Sequence, residues 1–158
     1  MNERIGERER FAFEVHPLDV QHSAMRRVDL WLGARLLTED DNTVYVPQFR
    51  HSIQHDLDEL LLTRRFLPPA DNTMPVVDQF DLLHQVDDGR SEEFWFAHWG
   101  PTTDRVSVLL FRIDDRAVLV ARQTDERGGL LPGEVIEVDM TVVELTALLQ
   151  AAIVALAD

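Results

Sequence analysis

Residues 106–123 read VSVLLFRIDDRAVLVARQ and contain the strongest structural signal in the chain. Two strongly apolar runs, Val106–Ile113 and Ala117–Gln123, flank the short polar segment Asp114–Arg116. Apolar runs of this length joined by a short loop predict a β-hairpin. This hairpin makes an antiparallel sheet the framework of the predicted fold.

The chain after the hairpin predicts one more strand and a C-terminal helix. Val135, Ile136 and Val138 form the strand. Thr141 and Glu144 enclose the sequence TVVE, a capping-box pattern that marks a helix N-terminus. The helix carries an apolar stripe that we expect to pack on the sheet, namely Val142, Leu145, Leu148, Leu149, Ala152, Ile153 and Leu156.

The N-terminal half predicts two strands followed by a helix. Arg10–His16 and Val28–Leu32 alternate apolar and polar residues, which is typical of half-buried strands. Residues 1–9 are expected to form a flexible tail. Pro47 suits the first turn of a helix. The apolar residues after it recur at helical spacing, namely Phe49, Ile53, Leu57, Leu60 and Leu61.

Two further segments complete the predicted fold. Residues 74–86 fit a short helix better than a strand, and Glu93–Trp99 predicts a strand with Trp95 and Trp99 on one face. Strands in runs, with helices grouped between and after them, indicate an α+β fold. We expect residues 10–158 to form a single domain with a mostly antiparallel sheet, a middle helical segment and a C-terminal helix packed on the sheet.

The composition excludes several kinds of chemistry. The 158 residues include no lysine and no cysteine, so lysine Schiff bases, phosphate-loop lysines, disulfides and thiolate zinc sites are absent. No G-x-S-x-G elbow and no glycine-rich phosphate loop is present either. We therefore expect a protein that is not an enzyme and that carries no cofactor.

Charge and hydropathy limit the classes of partner that the chain is expected to bind. The net charge of −14 comes from 29 acidic and 15 basic residues, and it would repel a nucleic acid while attracting a basic protein. The longest apolar segment, Leu145–Ala157, is interrupted by Thr146 and Gln150 and falls short of the ~18 residues that span a bilayer. The charged N-terminus lacks the apolar core of a secretory signal. We expect a cytoplasmic protein that binds neither membrane nor nucleic acid.

One pair of histidines has metal-binding spacing. His51 and His55 lie four residues apart on the middle helix, so both imidazoles share one face. The glutamate that follows the first histidine in helical zinc proteases is absent, because the intervening residues read SIQ. A third ligand would have to come from elsewhere. We therefore predict no metal, while a metal-dependent hydrolase using these two residues stays open as an alternative.

Acidic and aromatic residues are the candidates for partner binding. Carboxylates are densest in two predicted loops, and the strand beside the second loop carries two tryptophans. An exposed tryptophan ringed by charge is typical of an interface hot spot. The predicted partner-binding residues are Glu39, Asp40, Asp41, Asp87, Asp88, Glu92, Glu93, Trp95 and Trp99.

Two N-terminal segments resemble a known class of proteins. Residues 11–18 read FAFEVHPL and residues 29–38 read DLWLGARLLT. These patterns resemble immunity proteins of bacterial polymorphic-toxin and contact-dependent inhibition systems. The resemblance implies a cytoplasmic, non-catalytic protein that binds one cognate toxin domain and blocks it. The alternative is a housekeeping or regulatory domain, with a homodimer through the aromatic strand as one form.

Overall fold

The computed structural model describes residues 1–69, 73–86, 88–127 and 129–157. Within these ranges the chain forms two antiparallel sheets and three α-helices, so the predicted α+β class is confirmed. The strands are β1 (Glu3–Gly6), β2 (Phe11–Val15), β3 (Met25–Leu32), β4 (Arg35–Leu36), β5 (Thr43–Tyr45), β6 (Val106–Ile113), β7 (Arg116–Gln123) and β8 (Ile136–Thr141). The helices are α1 (Val46–Leu62), α2 (Val76–Gln85) and α3 (Val142–Ala155).

The first sheet contains three strands that the sequence analysis did not predict, β1, β4 and β5. Its order is β1-β2-β3-β4, and β5 pairs with the other end of β3. The prediction of a loose tail over residues 1–9 is wrong, because β1 pairs with β2. Only Ile5 of β1 is half-buried, and the other three residues are exposed. A strand at the edge of a sheet can form without an apolar run. This explains how β1 forms although its sequence shows no strand pattern.

The predicted hairpin forms two of the three strands of the second sheet, whose order is β6-β7-β8. The pairing runs from Val106 opposite Gln123 to Ile113 opposite Arg116. Both faces of β6 and β7 are covered. The main core takes Val108, Leu110, Ala117, Leu119 and Ala121. A second apolar cluster, which includes Phe80 of α2, takes Leu109, Phe111, Val118 and Val120.

The two long helices share the main core with both sheets. α1 and α3 pack against each other, and α3 also contacts strands of both sheets. The capping box at the start of α3 is present: the Glu144 N–H donates to Thr141 Oγ1 over 3.0 Å, and the Thr141 N–H donates to Glu144 Oε2 over 2.9 Å. The short helix predicted within residues 74–86 is confirmed as α2. Leu61 is exposed, in contrast to the other predicted apolar positions of α1. No helix in the described ranges is long and apolar enough to cross a membrane.

The strand predicted over Glu93–Trp99 does not form. Arg90–Phe94 is a short 3-10 helix, and Trp95 makes only an isolated bridge to Leu109. Ala97 has a positive φ of 61°, which interrupts the alternation of a strand. Phe94 and Phe96 therefore enter different apolar clusters, and Trp99 enters the same core as Phe96. The alternative of a homodimer through the aromatic strand therefore loses the strand on which it was based.

Truncating the buried stripe of α3 should destabilise the fold. We expect Leu149→Ala to lower the free energy of unfolding by about 2–5 kcal/mol, because Leu149 is fully buried against the sheets. The neighbouring Gln150 is exposed, so Gln150→Ala serves as a matched control with a much smaller effect. Urea unfolding measures both variants. Equal, small losses would show that α3 does not bury this face.

Candidate partner-binding site

A buried carboxylate on α1 holds the segment that carries the predicted tryptophans. Asp56 Oδ2 accepts hydrogen bonds from the Ala97 N–H, over 3.0 Å, and from Trp99 Nε1, over 2.8 Å. The Asp56 residue is only 7% exposed. The sequence interpretation missed this role. The available signal was position, because Asp56 lies between Ile53 and Leu60 on the apolar face of α1.

The second hydrogen bond fixes Trp99 inside the core. Its ring stacks on Phe13, with centroids 5.6 Å apart, and meets the rings of Phe49 and Phe96 edge-on. Trp99 is 1% exposed, so its predicted role as an aromatic anchor for a partner is wrong. The alternation of a strand predicts Trp99 on the same face as Trp95. The left-handed backbone conformation of Ala97 breaks this alternation, so Trp99 points into the core.

Trp95 is placed differently and remains half-buried at the surface. Its ring stacks nearly parallel on the His98 imidazole, with 4.6 Å between centroids and 8° between planes. The pair forms one wall of a cleft of about 320 Å³ between the end of α2 and the start of β6, here called the α2–β6 cleft. The cleft is lined by Leu83, His84, Val86, Ser91, Trp95, His98, Asp104, Val106, Ser107 and Thr124.

His84 and Ser107 form a hydrogen-bonded pair within this cleft. His84 Nδ1 lies 2.8 Å from the Phe80 carbonyl oxygen, and Nε2 lies 2.8 Å from Ser107 Oγ. A carbonyl only accepts, so Nδ1 carries a proton. The distances match those of a serine nucleophile and its base, yet the group that orients the imidazole is a helix carbonyl rather than a carboxylate. The pair ties α2 to β6.

The predicted acidic residues all lie at the surface where they are described. Glu39, Asp40 and Asp41 are exposed between β4 and β5, and Glu92 and Glu93 are exposed on the 3-10 helix. Within the described ranges, none of these five carboxylates has a basic side-chain nitrogen within 4 Å. Their negative charge is therefore uncompensated by local ion pairs.

The second acidic loop contributes less charge than predicted. Asp88 pairs with Arg90, and hydrogen bonds from the Arg90 backbone and side chain lower the pKa of the Asp88 carboxyl. Its charge is thus partly neutralised within the chain. Asp87 lies outside the described residues.

Two recesses meet at the start of β6. Glu39 lines a recess that also includes Val106 and Arg122. Val106 in turn lines the α2–β6 cleft, together with Ser91 and Trp95. The recess beside Glu39 and the cleft beside Trp95 are thus neighbours that share Val106. Glu93 lies further along β6, because its carbonyl oxygen accepts from the Phe66 N–H and the Phe66 carbonyl oxygen accepts from the Arg112 N–H.

The histidine pair on α1 lies elsewhere, on an exposed helix face. His51 and His55 are both exposed, and the His55 ring nitrogens lie 3.9 Å from Asp56 Oδ1 and from Glu59 Oε1. Over the described ranges, no cluster of three or more histidine, aspartate or glutamate side chains has a geometry that could hold a metal ion. The hydrolase alternative thus gains no third ligand from these residues.

The likeness of this chain to known proteins is one of fold rather than of sequence. No protein-family model matches the sequence, and no curated protein matches it. The crystal structure of CdiI from Burkholderia dolosa AUO158 superposes on the chain with a TM-score of 0.65, covering 97% of this chain and 99% of that one at 11% identity. The fold resembles that of CdiI. CdiI is a contact-dependent inhibition immunity protein, so the resemblance predicted from the N-terminal segments is confirmed at the level of the fold.

Removing the Asp56 carboxylate should release the segment around Trp95 and Trp99. Asp56→Ala leaves two buried N–H donors without an acceptor, which costs about 1–3 kcal/mol for each donor. Asp58→Ala on the exposed face of the same helix is the control and should change little. Urea unfolding of both variants gives the difference. Equal stabilities would contradict the role of Asp56.

The pH dependence provides a second readout for the same residue. Burial raises the pKa of the Asp56 carboxyl, although the Ala97 and Trp99 donors oppose this shift. The folded chain then binds the proton more tightly than the unfolded chain, so this stabilisation is complete below about pH 3.9 and is lost as the pH rises through the folded pKa. Asp56→Asn keeps an acceptor without the charge. We expect its stability relative to wild type to increase as the pH rises above about 4, and a difference independent of pH would contradict this.

Proposed function

We propose that this chain is an immunity protein that binds a cognate toxin domain and neutralises it. The observation that carries the proposal is the fold likeness to CdiI, which extends over 97% of this chain and 99% of the other. The class needs a binding surface rather than a catalytic centre. A non-catalytic, cytoplasmic role with a protein partner, and with neither nucleic acid nor membrane, is part of the same proposal.

Electrostatic masking is the proposed means of neutralisation. The chain has a net charge of −14, and a toxin domain that acts on nucleic acid needs a basic cleft to hold phosphates. An acidic protein that covers such a cleft competes with the substrate for the same cations. The uncompensated carboxylates of Glu39–Asp41 and of Glu92 and Glu93 are exposed and free to meet them.

The proposed contact surface extends along β6 from Val106 past Trp95, which bridges to Leu109. It comprises the acidic segment Glu39–Asp41, the 3-10 helix with Glu92 and Glu93, and the half-buried ring of Trp95. Asp88 contributes less, because Arg90 neutralises it locally. Carboxylates around an aromatic ring supply both long-range attraction and a central anchor.

Neutralising the acidic loop should slow association with the toxin. We expect the double variant Glu39→Gln/Asp40→Asn to lower the association rate constant by about two- to fivefold at low salt, because complementary charge steers encounter. The difference should shrink at about 0.5 M NaCl, where screening is short-ranged. Surface plasmon resonance against the toxin domain encoded by the adjacent gene measures both rates.

The control carries the same charge change at a distant place. Asp114→Asn/Asp115→Asn alters the β6–β7 turn, which lies at the opposite end of the eight-residue strand β6, roughly 25 Å from Val106. We expect a smaller loss of association rate. Equal losses for the two double variants would contradict the location of the surface. Binding without salt dependence would contradict masking, and no binding to the adjacent-gene product would contradict the immunity function itself.

A further inference from the structure

The α2–β6 cleft combines an aromatic wall with one carboxylate. We propose that it receives an arginine side chain of the toxin domain, packed against the Trp95–His98 pair and ion-paired with Asp104. The inference rests on the proposed immunity function and names the chemical group that the partner inserts. It also adds two residues, His98 and Asp104, to the predicted surface.

The aromatic wall is held in place before any partner arrives. The Arg65 guanidinium donates from Nη2 to the Trp95 carbonyl oxygen over 3.3 Å and to the Glu92 carbonyl oxygen over 3.0 Å. Asp56 binds the Ala97 N–H two residues further along. A rigid wall loses little conformational entropy when a side chain packs on it, which favours its use as an anchor point.

The charges around the cleft favour a cation. No arginine is among the described residues that line it, and Asp104 is the lining carboxylate. Asp104 is exposed, and within the described residues its side chain is not ion-paired; its backbone carbonyl accepts from Thr124 Oγ1. An incoming anion would meet this charge, and an aliphatic side chain would cover it without a partner, at a desolvation cost.

The environment of His98 favours its neutral form, which does not repel an incoming cation. Desolvation lowers the pKa of the His98 imidazole; Asp104 opposes this shift and Arg65 adds to it. The two ring nitrogens of His84 are already engaged by Phe80 and Ser107. The stacked rings therefore present π faces beside a carboxylate.

Arginine fits this combination better than other side chains. Its planar guanidinium stacks on aromatic faces and pairs with a carboxylate through two N–H donors, whereas a lysine ammonium is a compact, strongly hydrated charge. The cleft volume of about 320 Å³ lies at the lower end of the range of small-ligand pockets. An arginine side chain fits within that volume.

A titration with N-acetyl-arginine amide tests the chemistry without any toxin. The chain has three tryptophans, so three indole N–H signals are available in ¹H–¹⁵N spectra, and Trp95→Phe identifies the one in the cleft. We expect a saturable shift of the Trp95 signal, no shift of the buried Trp99 signal, and at least about threefold weaker binding to Asp104→Asn. N-acetyl-lysine amide should bind more weakly. Asp115→Asn, in the distant turn, should bind like wild type.

The same variants then test the interface. We expect Asp104→Asn and Trp95→Ala to weaken binding of the adjacent-gene toxin domain by about tenfold or more, and Asp115→Asn to leave it unchanged. Thermal melts confirm folding, and the exposed Asp104 keeps the test valid if Trp95→Ala unfolds. No shift of the Trp95 signal, or an equal shift in Asp104→Asn, would overturn the arginine site. A toxin that binds wild type and Asp104→Asn equally would overturn its docking while leaving the immunity function intact.

Discussion

The buried carboxylate of Asp56 is the contact on which the arrangement of core and cleft depends. It accepts hydrogen bonds from Ala97 and Trp99, in a segment whose backbone turns through a left-handed residue instead of continuing as a strand. Without an acceptor, both N–H groups would be buried and unsatisfied. The same contact therefore seats Trp99 among the core aromatics and leaves Trp95 at the surface, where its ring stacks on His98.

Local patterns predicted the parts of the fold in which local and tertiary preferences agree. The apolar runs of β6 and β7 and the capping box of α3 specify their structures within a few residues, and all three form as predicted. Strand β1 was missed because edge pairing satisfies its backbone without an apolar pattern. The segment from Glu93 to Trp99 was misassigned because a tertiary hydrogen bond from α1 overrides its alternation.

Only part of the candidate site could likewise be predicted from the sequence. Exposure of Glu39–Asp41, Glu92 and Glu93 follows from their charge, since unpaired carboxylates stay in water. The closeness of the recess beside Glu39 to the cleft beside Trp95, through the shared Val106, follows only from the folded chain. The place of Asp104 in the cleft arises from the return of the chain into β6 and is seen only in the folded chain.

Inhibition of the toxin is the measurement that tests the account most directly. The product of the adjacent gene, which is the proposed toxin domain, would be assayed on its own substrate while the purified chain is added in increasing amounts. The account predicts that activity falls to background near one immunity chain per toxin domain, and that Asp104→Asn shifts this titration to higher concentrations. Undiminished toxin activity in a large molar excess of the wild-type chain would contradict it.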